Sequence, residues 1–309
     1  MELRHLRSLV ALARDGSFTR AARRLGIAQP ALSQQIRTLE RELGVLLVNR
    51  TNRTSGLTDA GARLVSRAEP ILLAVRDATQ EMMTHAGVRG GTVRIGCALQ
   101  TLVEGRLPKL LASFREHHPG IRIAFREVHT RQVLQLLQRG EVDLGLIHLG
   151  RVGSTLLGMR SAGQVIALAR LYTEPVVLIV GPEHRLLERR TVELSDLREE
   201  TFVTFRAGAT VRKMLVLATR RAGFAPRIGF STPNMGTVRA LVSAGLGVAL
   251  VPRSALDVPS PPLKAIAVAS PRMERVVTLA RNTARYEAPA VKDIRKLLSD
   301  ALRSRTTDS

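Results

Sequence analysis

The stretch "SFTRAARRLGIAQPALSQQIRTLERELG", Ser17 to Gly44, leaves this chain few ways to fold locally. Ser17 stands where a hydroxyl can cap a helix start. Phe18, Ala21 and Leu25 share one face of the helix that follows. Gly26 is suited to end that helix with a positive φ, and Ile27 plugs the corner. Pro30 fits the first turn of a second helix, where its missing N–H is harmless. There Leu32, Ile36, Leu39 and Leu43 recur at helical spacing as one apolar stripe. Pro30, Gln34, Arg37, Thr38 and Arg41 point the other way, with Ser33 at the flank. An earlier helix over about residues 3–14 supplies Leu6, Leu9, Val10 and Ala13 as a third wall. The outer face is rich in amides, hydroxyls and arginine, the groups that read base edges and hold phosphates in a major groove. A three-helix cap with a solvated polar face is the competing reading.

Charge favours the first. The chain of 309 residues carries 47 basic and 26 acidic residues, a net +21. That balance suits a polyanionic partner, although a solvated basic surface would produce it too. Residues 1–90 hold 14 arginines against eight acidic residues, +6, so the remaining +15 lies further along the chain. A basic loop, "NRTNRTSGLT", follows the second helix of the corner. Asn49, Arg50, Arg53 and Thr54 are expected to form a wing against the DNA backbone.

From Leu57-Thr58-Asp59 a long helix is expected, with Thr58 as N-cap and Asp59 favourable in the first turn. Leu64, Ala68, Ile71, Val75, Ala78 and Met82 repeat as a heptad seam, which implies pairing with a second helix. Val65 and Leu72 widen the stripe and keep open a helix buried within one chain. Pro70 is expected to bend this helix. Gly87, Gly90 and Gly91 are expected to end it and form a hinge.

Beyond Thr92 strands and helices alternate: "TVRIGCA", "GRLPKLLASFREHHPG", "IRIAFREV", "TRQVLQLLQRG", "EVDLGLIH". This order predicts a parallel sheet covered by helices. A second alternating block spans about 166–265, and "RVVTLAR" and a helix over about 289–303 close the chain. Two such lobes predict a cleft. Ligands in open α/β sheets sit beyond the carboxyl ends of strands, near helix N-termini. The candidates are Leu99, Gln100 and Thr101 after the first strand, Thr130 after the second and His148 after the third. Thr204 and Phe205 face them from the other lobe, with Asn234 at a helix start. Each of these is also an ordinary cap or loop residue on the competing reading, His148 above all. Free N–H groups there would favour a small carboxylate or another anion, and Arg206 reads equally as a partner for one or as a solvated side chain.

Residues 1–61 resemble the winged helix-turn-helix of LysR-type transcriptional regulators, on "MELRHLRSLVALARDGSFTRAARRLGIAQPALSQQIRTLERELG" and "NRTNRTSGLTDAG". The rest is similar to that family's effector domain, itself similar to periplasmic solute-binding proteins, on "RLPKLLASFREHHPGIRI", "LLQRGEVDLGLI" and "VRALVSAGLGVALVP". Two departures stand out. Ala28 replaces the family's usual capping serine, and Leu47 its usual phenylalanine. The resemblance implies that Gln29, Pro30, Ser33, Gln34 and Arg37 meet bases or nearby phosphates, and that Arg50 and Arg53 meet the backbone. It implies effector contacts at Gln100, Thr101, Thr130, Thr204 and Phe205, and dimerisation through the long helix.

The expected fold class is therefore α+β and multidomain. Residues 1–58 form a winged helix-turn-helix, 59–90 a linker and dimerisation helix with its hinge, and 91–309 a two-lobed α/β effector-binding domain. Lobe I is expected over about 91–165 and 266–303, and lobe II over about 166–265. The expected partners are double-stranded promoter DNA, a small-molecule effector and further copies of the chain, as a dimer or a tetramer. RNA polymerase is a candidate partner. The competing function is an architectural DNA-binding protein without an effector.

No GxGxxG opening a helix, no Walker motif and no GxSxG elbow occurs, and His117 and His118 are adjacent, a poor spacing for metal ligation. No enzyme, cofactor or metal is expected. The single cysteine, Cys97, excludes an internal disulfide and a multi-cysteine metal site. It reads as a small apolar residue at a strand end. No run of about 18 apolar residues suggests a membrane span, and Glu2, Arg4 and Arg7 interrupt any leader. The expected location is the cytoplasm.

Overall fold

The computed structural model describes residues 1–51, 54–86, 90–98, 107–157, 165–259 and 261–303, which fall into two compact units, Met1–Gly87 and Val88–Ser309.

The first unit opens with α1 (Leu3–Asp15), α2 (Phe18–Leu25) and α3 (Gln29–Leu43). A hairpin of β1 (Val48–Thr51) and β2 (Thr54–Leu57) follows, then α4 (Asp59–His85). Gly26 ends α2 at φ 67°, the left-handed conformation the corner needs. Leu32, Ile36 and Leu39 of α3 are buried with Leu9, Leu12 and Ala21, so the apolar stripe faces inward. Leu43, the last member of that stripe, is exposed. Leu47 is buried in the same core.

Ser17 takes the N-cap position of α2 but makes no capping bond with its side chain. The α1–α2 connection is held from the other side. Arg20 donates to the Asp15 carbonyl at 3.0 and 2.5 Å, and Arg24 to the Asp15 carboxyl at 2.7 Å. The bond from Arg24 also holds that carboxyl below its ordinary pKa. At α4, Thr58 does cap the helix. Its hydroxyl accepts from Gly61 N at 3.0 Å and donates to Leu46 O at 2.7 Å. Gly61 lets α4 start against the backbone of Leu47, because a Cβ there would lie 2.0 Å from Leu47 O. Pro70 lies inside α4 without ending it, and the helix covers 27 residues. Gly87 lies outside the described residues.

The second unit holds eleven strands among the described residues. Its first half runs β3 (Gly91–Ala98), α5 (Leu107–His117), β4 (Ile121–Val128), α6 (Thr130–Gln138), β5 (Leu144–Val152) and β6 (Thr155–Leu157). Then come β7 (Ile166–Val180), β8 (Thr191–Val192), β9 (Thr201–Phe205), α7 (Thr210–Arg221) and β10 (Arg227–Thr232). The chain finishes with α8 (Met235–Ser243), β11 (Ala249–Pro252), β12 (Lys264–Val268), β13 (Met273–Asn282) and α9 (Pro289–Arg303).

β3 pairs in parallel with β4 and β5, as the alternation predicts. The sheet is not parallel throughout, because β13 runs antiparallel to both β5 and β7. Nine strands form one sheet, β4-β3-β5-β13-β7-β12-β8 with β6 and β11 at its sides, and β9 and β10 form a parallel pair. The expected change of lobe at residue 166 falls instead inside β7. Ile166 to Pro175 pair with β13, while Val176 to Val180 pair with β11 and β12. The cores divide at the same place. Leu171 and Tyr172 pack with α5 and α9, and Val176 to Val180 pack with α7 and α8.

Candidate functional site

The outer face of α3 is where the helical spacing puts it. Gln29, Pro30, Gln34 and Arg37 are exposed, and Ser33 and Thr38 are half-buried. Arg37 donates to Gln34 Oε1 from Nε at 3.2 Å and from Nη2 at 3.0 Å. The guanidinium thereby orients the amide one turn away and leaves the amide NH2 as the donor Gln34 presents. Ala28 at the N-cap makes no side-chain bond, so no side chain caps the start of α3. Arg50 lies on β1 opposite Ser55, and Asn49 donates across the hairpin to Leu57 O at 3.5 Å. Arg53 lies outside the described residues.

The six seam positions of α4 do not act as one surface. Leu64 and Ala68, with Val65 and Leu72, pack against Leu6 and Val10 of α1. Arg14 of α1 pairs with Glu69 of α4 at 2.9 Å on the same side. The heptad spacing is real, but its first two members serve the chain's own core. Further along nothing among the described residues of this unit covers the stripe. Ile71 is 43% and Met82 58% exposed. Val75, Ala78, Thr79, Met82, Met83 and Ala86 line an apolar groove.

The second unit contains a cleft ringed by helix starts. His129 and Thr130 come from the start of α6, Ala209, Thr210 and Val211 from α7, and Pro233 and Met235 from α8. Ala98, His148, Phe205, Arg206, Gly208, Pro252 and Arg275 complete the lining. Thr130, His148 and Phe205 are thus together, as expected. Leu99, Gln100 and Thr101 lie outside the described residues.

Thr204 and Asn234 are not part of the lining. Thr204 and Phe205 are consecutive on β9, and consecutive strand residues face opposite sides. Phe205 takes the cleft side and Thr204 is buried away from it. Asn234 is the N-cap of α8, and its Oδ1 accepts from Thr237 N at 3.1 Å.

Sequence reasoning missed Thr210 and Arg275. Thr210 opens α7, and the rule that found Thr130 would have found it. Its hydroxyl donates to His148 O at 3.2 Å, and Thr130 Oγ1 donates to the same carbonyl at 3.2 Å. Threonines from two helix starts therefore meet at one backbone oxygen. Gly150 lets α7 lie this close, since a Cβ there would stand 2.7 Å from Met214 Cγ.

Arg275 on β13 is buried against Glu174 of β7. Its Nε and Nη2 donate to Glu174 Oε1 at 2.8 and 2.6 Å, and Nη2 also donates to Ser254 Oγ at 3.0 Å. The only signal in the sequence was a charged residue inside each of two largely apolar strands, and Arg170 of β7 and Glu274 and Arg281 of β13 share that signal.

Burial, with the positive Arg275 nearby, pushes the His148 imidazole well below its ordinary pKa of 6.5. The unfolded chain then binds a proton near pH 6.5 that the folded chain refuses, so folding loses stability as pH falls below that value. Thermal melts of the full chain are expected to drop on acidification below pH 6.5, and His148→Gln to flatten that drop. Equal slopes in the two proteins contradict the assignment.

Cys97 is fully buried, and burial, with Glu127 adding to it, lifts its thiol to about 12. It is a packing residue in β3 and no nucleophile. Among the described residues no cluster of His, Cys, Asp and Glu is arranged to hold a metal ion. No helix among them is long and apolar enough to cross a membrane.

Two family models match the chain. "Bacterial regulatory helix-turn-helix protein, lysR family" matches residues 3–62, and "LysR substrate binding domain" matches residues 86–303. The HTH-type transcriptional regulator YnfL of Escherichia coli (strain K12) is 32% identical over 98% of this chain and 99% of its own. The transcriptional dual regulator GltC of Bacillus subtilis (strain 168) is 31% identical over 95% of each. A full-length OxyR variant from Pseudomonas aeruginosa has the same fold, with a TM-score of 0.71, 23% identity and coverage of 98% of this chain and 95% of that one.

Proposed function

The chain belongs to the LysR family of DNA-binding transcriptional regulators, and from that premise we propose which of its residues meet DNA, effector and partner copy. It is a regulator and not an enzyme. Nothing favours the alternative of an architectural protein without an effector, because residues 86–303 match an effector-binding domain.

The observation that carries the DNA assignment is the Gln34–Arg37 pair on the exposed face of α3. α3 lies along the major groove of promoter DNA. Gln34 and Arg37 reach base edges or nearby phosphates, with Gln29, Pro30, Ser33 and Thr38 beside them. The uncapped start of α3 suits a backbone phosphate, whose charge complements the helix dipole. Arg50 and Arg53 of the wing hold the backbone. In a mobility-shift assay on the chain's own promoter, Gln34→Ala is expected to weaken binding by about 1–3 kcal/mol, and Arg37→Ala to weaken it as well. Parental affinity in both variants contradicts the groove assignment.

The effector is a small anion bound among the starts of α6, α7 and α8. Thr130, Thr210, Arg206 and Phe205 contact it, together with Leu99, Gln100 and Thr101. Three helix starts with Arg206 favour negative charge. The effector acts by binding one arrangement of the DNA-reading heads better than another. The chain self-associates through the exposed part of α4, from Ile71 to Met82, and pairs of dimers span a partly palindromic element. Its place is the cytoplasm, with promoter DNA and RNA polymerase.

A further inference from the structure

The inner face of α3 carries one carboxyl in the apolar core. Glu40 is 7% exposed, and its Oε1 accepts the N–H of Leu47 at 2.9 Å and of Val48 at 3.2 Å. Its backbone carbonyl accepts from Gly44, the residue that ends α3, and from Val45 at 3.2 Å. One residue of α3 thus takes four N–H groups from the turn that leads into β1. Leu47 and Val48 are themselves buried, so without that carboxyl their amides would be donors away from water. Val48 is paired with Leu57 at the root of the hairpin, and Leu47 O accepts from Thr58 N at 3.0 Å. Both strands of the hairpin are therefore tied, at their roots, to the point Glu40 holds.

We propose that Glu40 is the positioning residue of the wing: it fixes the direction in which β1 and β2 leave α3, so that wing and reading helix meet one duplex together. The inference rests on the reading above that the wing meets the phosphate backbone. The chemistry also says which substitutions matter. The bonds from Leu47 and Val48 fall on one oxygen, Oε1, so glutamine keeps that acceptor in place without a charge. Aspartate keeps the carboxyl but is shorter by one methylene and does not reach both amides.

The test is salt-dependent binding of the full chain to a short random-sequence duplex, followed by fluorescence anisotropy. Each phosphate contact adds about 0.9 to the slope of log K against log salt. Glu40→Gln is expected to keep the parental slope. Glu40→Asp and Arg50→Ala are each expected to lower it by about one, and the double variant to lower it no further. A parental slope in Glu40→Asp, with a lowered one in Arg50→Ala, overturns the positioning role and leaves the wing reading standing. A parental slope in Arg50→Ala overturns the wing reading and the inference with it. If Glu40→Asp loses its helical circular dichroism, amide hydrogen exchange of the parent and Glu40→Gln decides. Slow exchange at Leu47 and Val48 in both sustains the inference, and exchange as fast as at the exposed Leu46 overturns it.

Discussion

Glu174→Ala is expected to destabilise the second unit by about 3–5 kcal/mol, read as a lower urea midpoint at unchanged slope. The size follows from the place of the pair. Glu174 and Arg275 are register partners on β7 and β13, at the point where both strands pass from one lobe to the other. The Arg275 side chain is only 3% exposed. Glu174 Oε1 takes two of its bonds, and Oε2 accepts from Ser254 N at 2.9 Å, which ties the turn after β11 to the same carboxyl. Alanine would leave a buried guanidinium without that anion and a buried N–H without that acceptor. Both costs are large in a low-dielectric interior. Glu174→Gln keeps acceptor and shape and is expected to lie between alanine and the parent. Glu174→Met with Arg275→Met removes both charges and is expected to recover much of the loss. If Glu174→Ala shifts stability by less than about 1 kcal/mol, the pair is not an anchor between the lobes.

What the amino-acid order made legible, and what it hid, divides along a physical line. Periodic patterns along one element survived. Leu32, Ile36 and Leu39 face inward, Gln34 and Arg37 face outward, and Thr58 caps α4 where a hydroxyl beside Asp59 predicts it. Patterns decided by a distant element did not. Leu64 and Ala68 have the spacing of a partner seam, but α1 happens to lie against them, and spacing cannot say which helix covers a stripe. Thr204 and Phe205 both looked available, although strand alternation allows only one of them into the cleft. Glu174 and Arg275 are separated by 101 positions, and only the antiparallel pairing of β7 with β13 joins them. Glu40 is a local contact, seven residues from Leu47, yet it too went unread. A carboxyl on the apolar side of an amphipathic helix was the available sign.

The second large effect is expected on α4. Val75→Lys or Ile71→Lys should turn a self-associated parent into single chains, with the dissociation constant raised about a hundredfold or more. Burying an ammonium in an apolar seam costs several kcal/mol per ion, and a two-fold pairing places two of them there. Position along the helix makes the test specific. Leu64→Lys falls where α4 packs on α1 and should unfold the first unit. Ile71 is exposed, on a different side of α4 from the packed Leu72, and Val75 lines the groove that continues to Ala86. A lysine at either should therefore leave the melt of the single chain near the parent's while changing its sedimentation. DNA binding should fall further than one lost contact explains, because two heads on paired half-sites share one strong attachment that each head alone lacks. A Val75→Lys chain that sediments like the parent would mean that the groove of α4 is not where copies of this regulator meet.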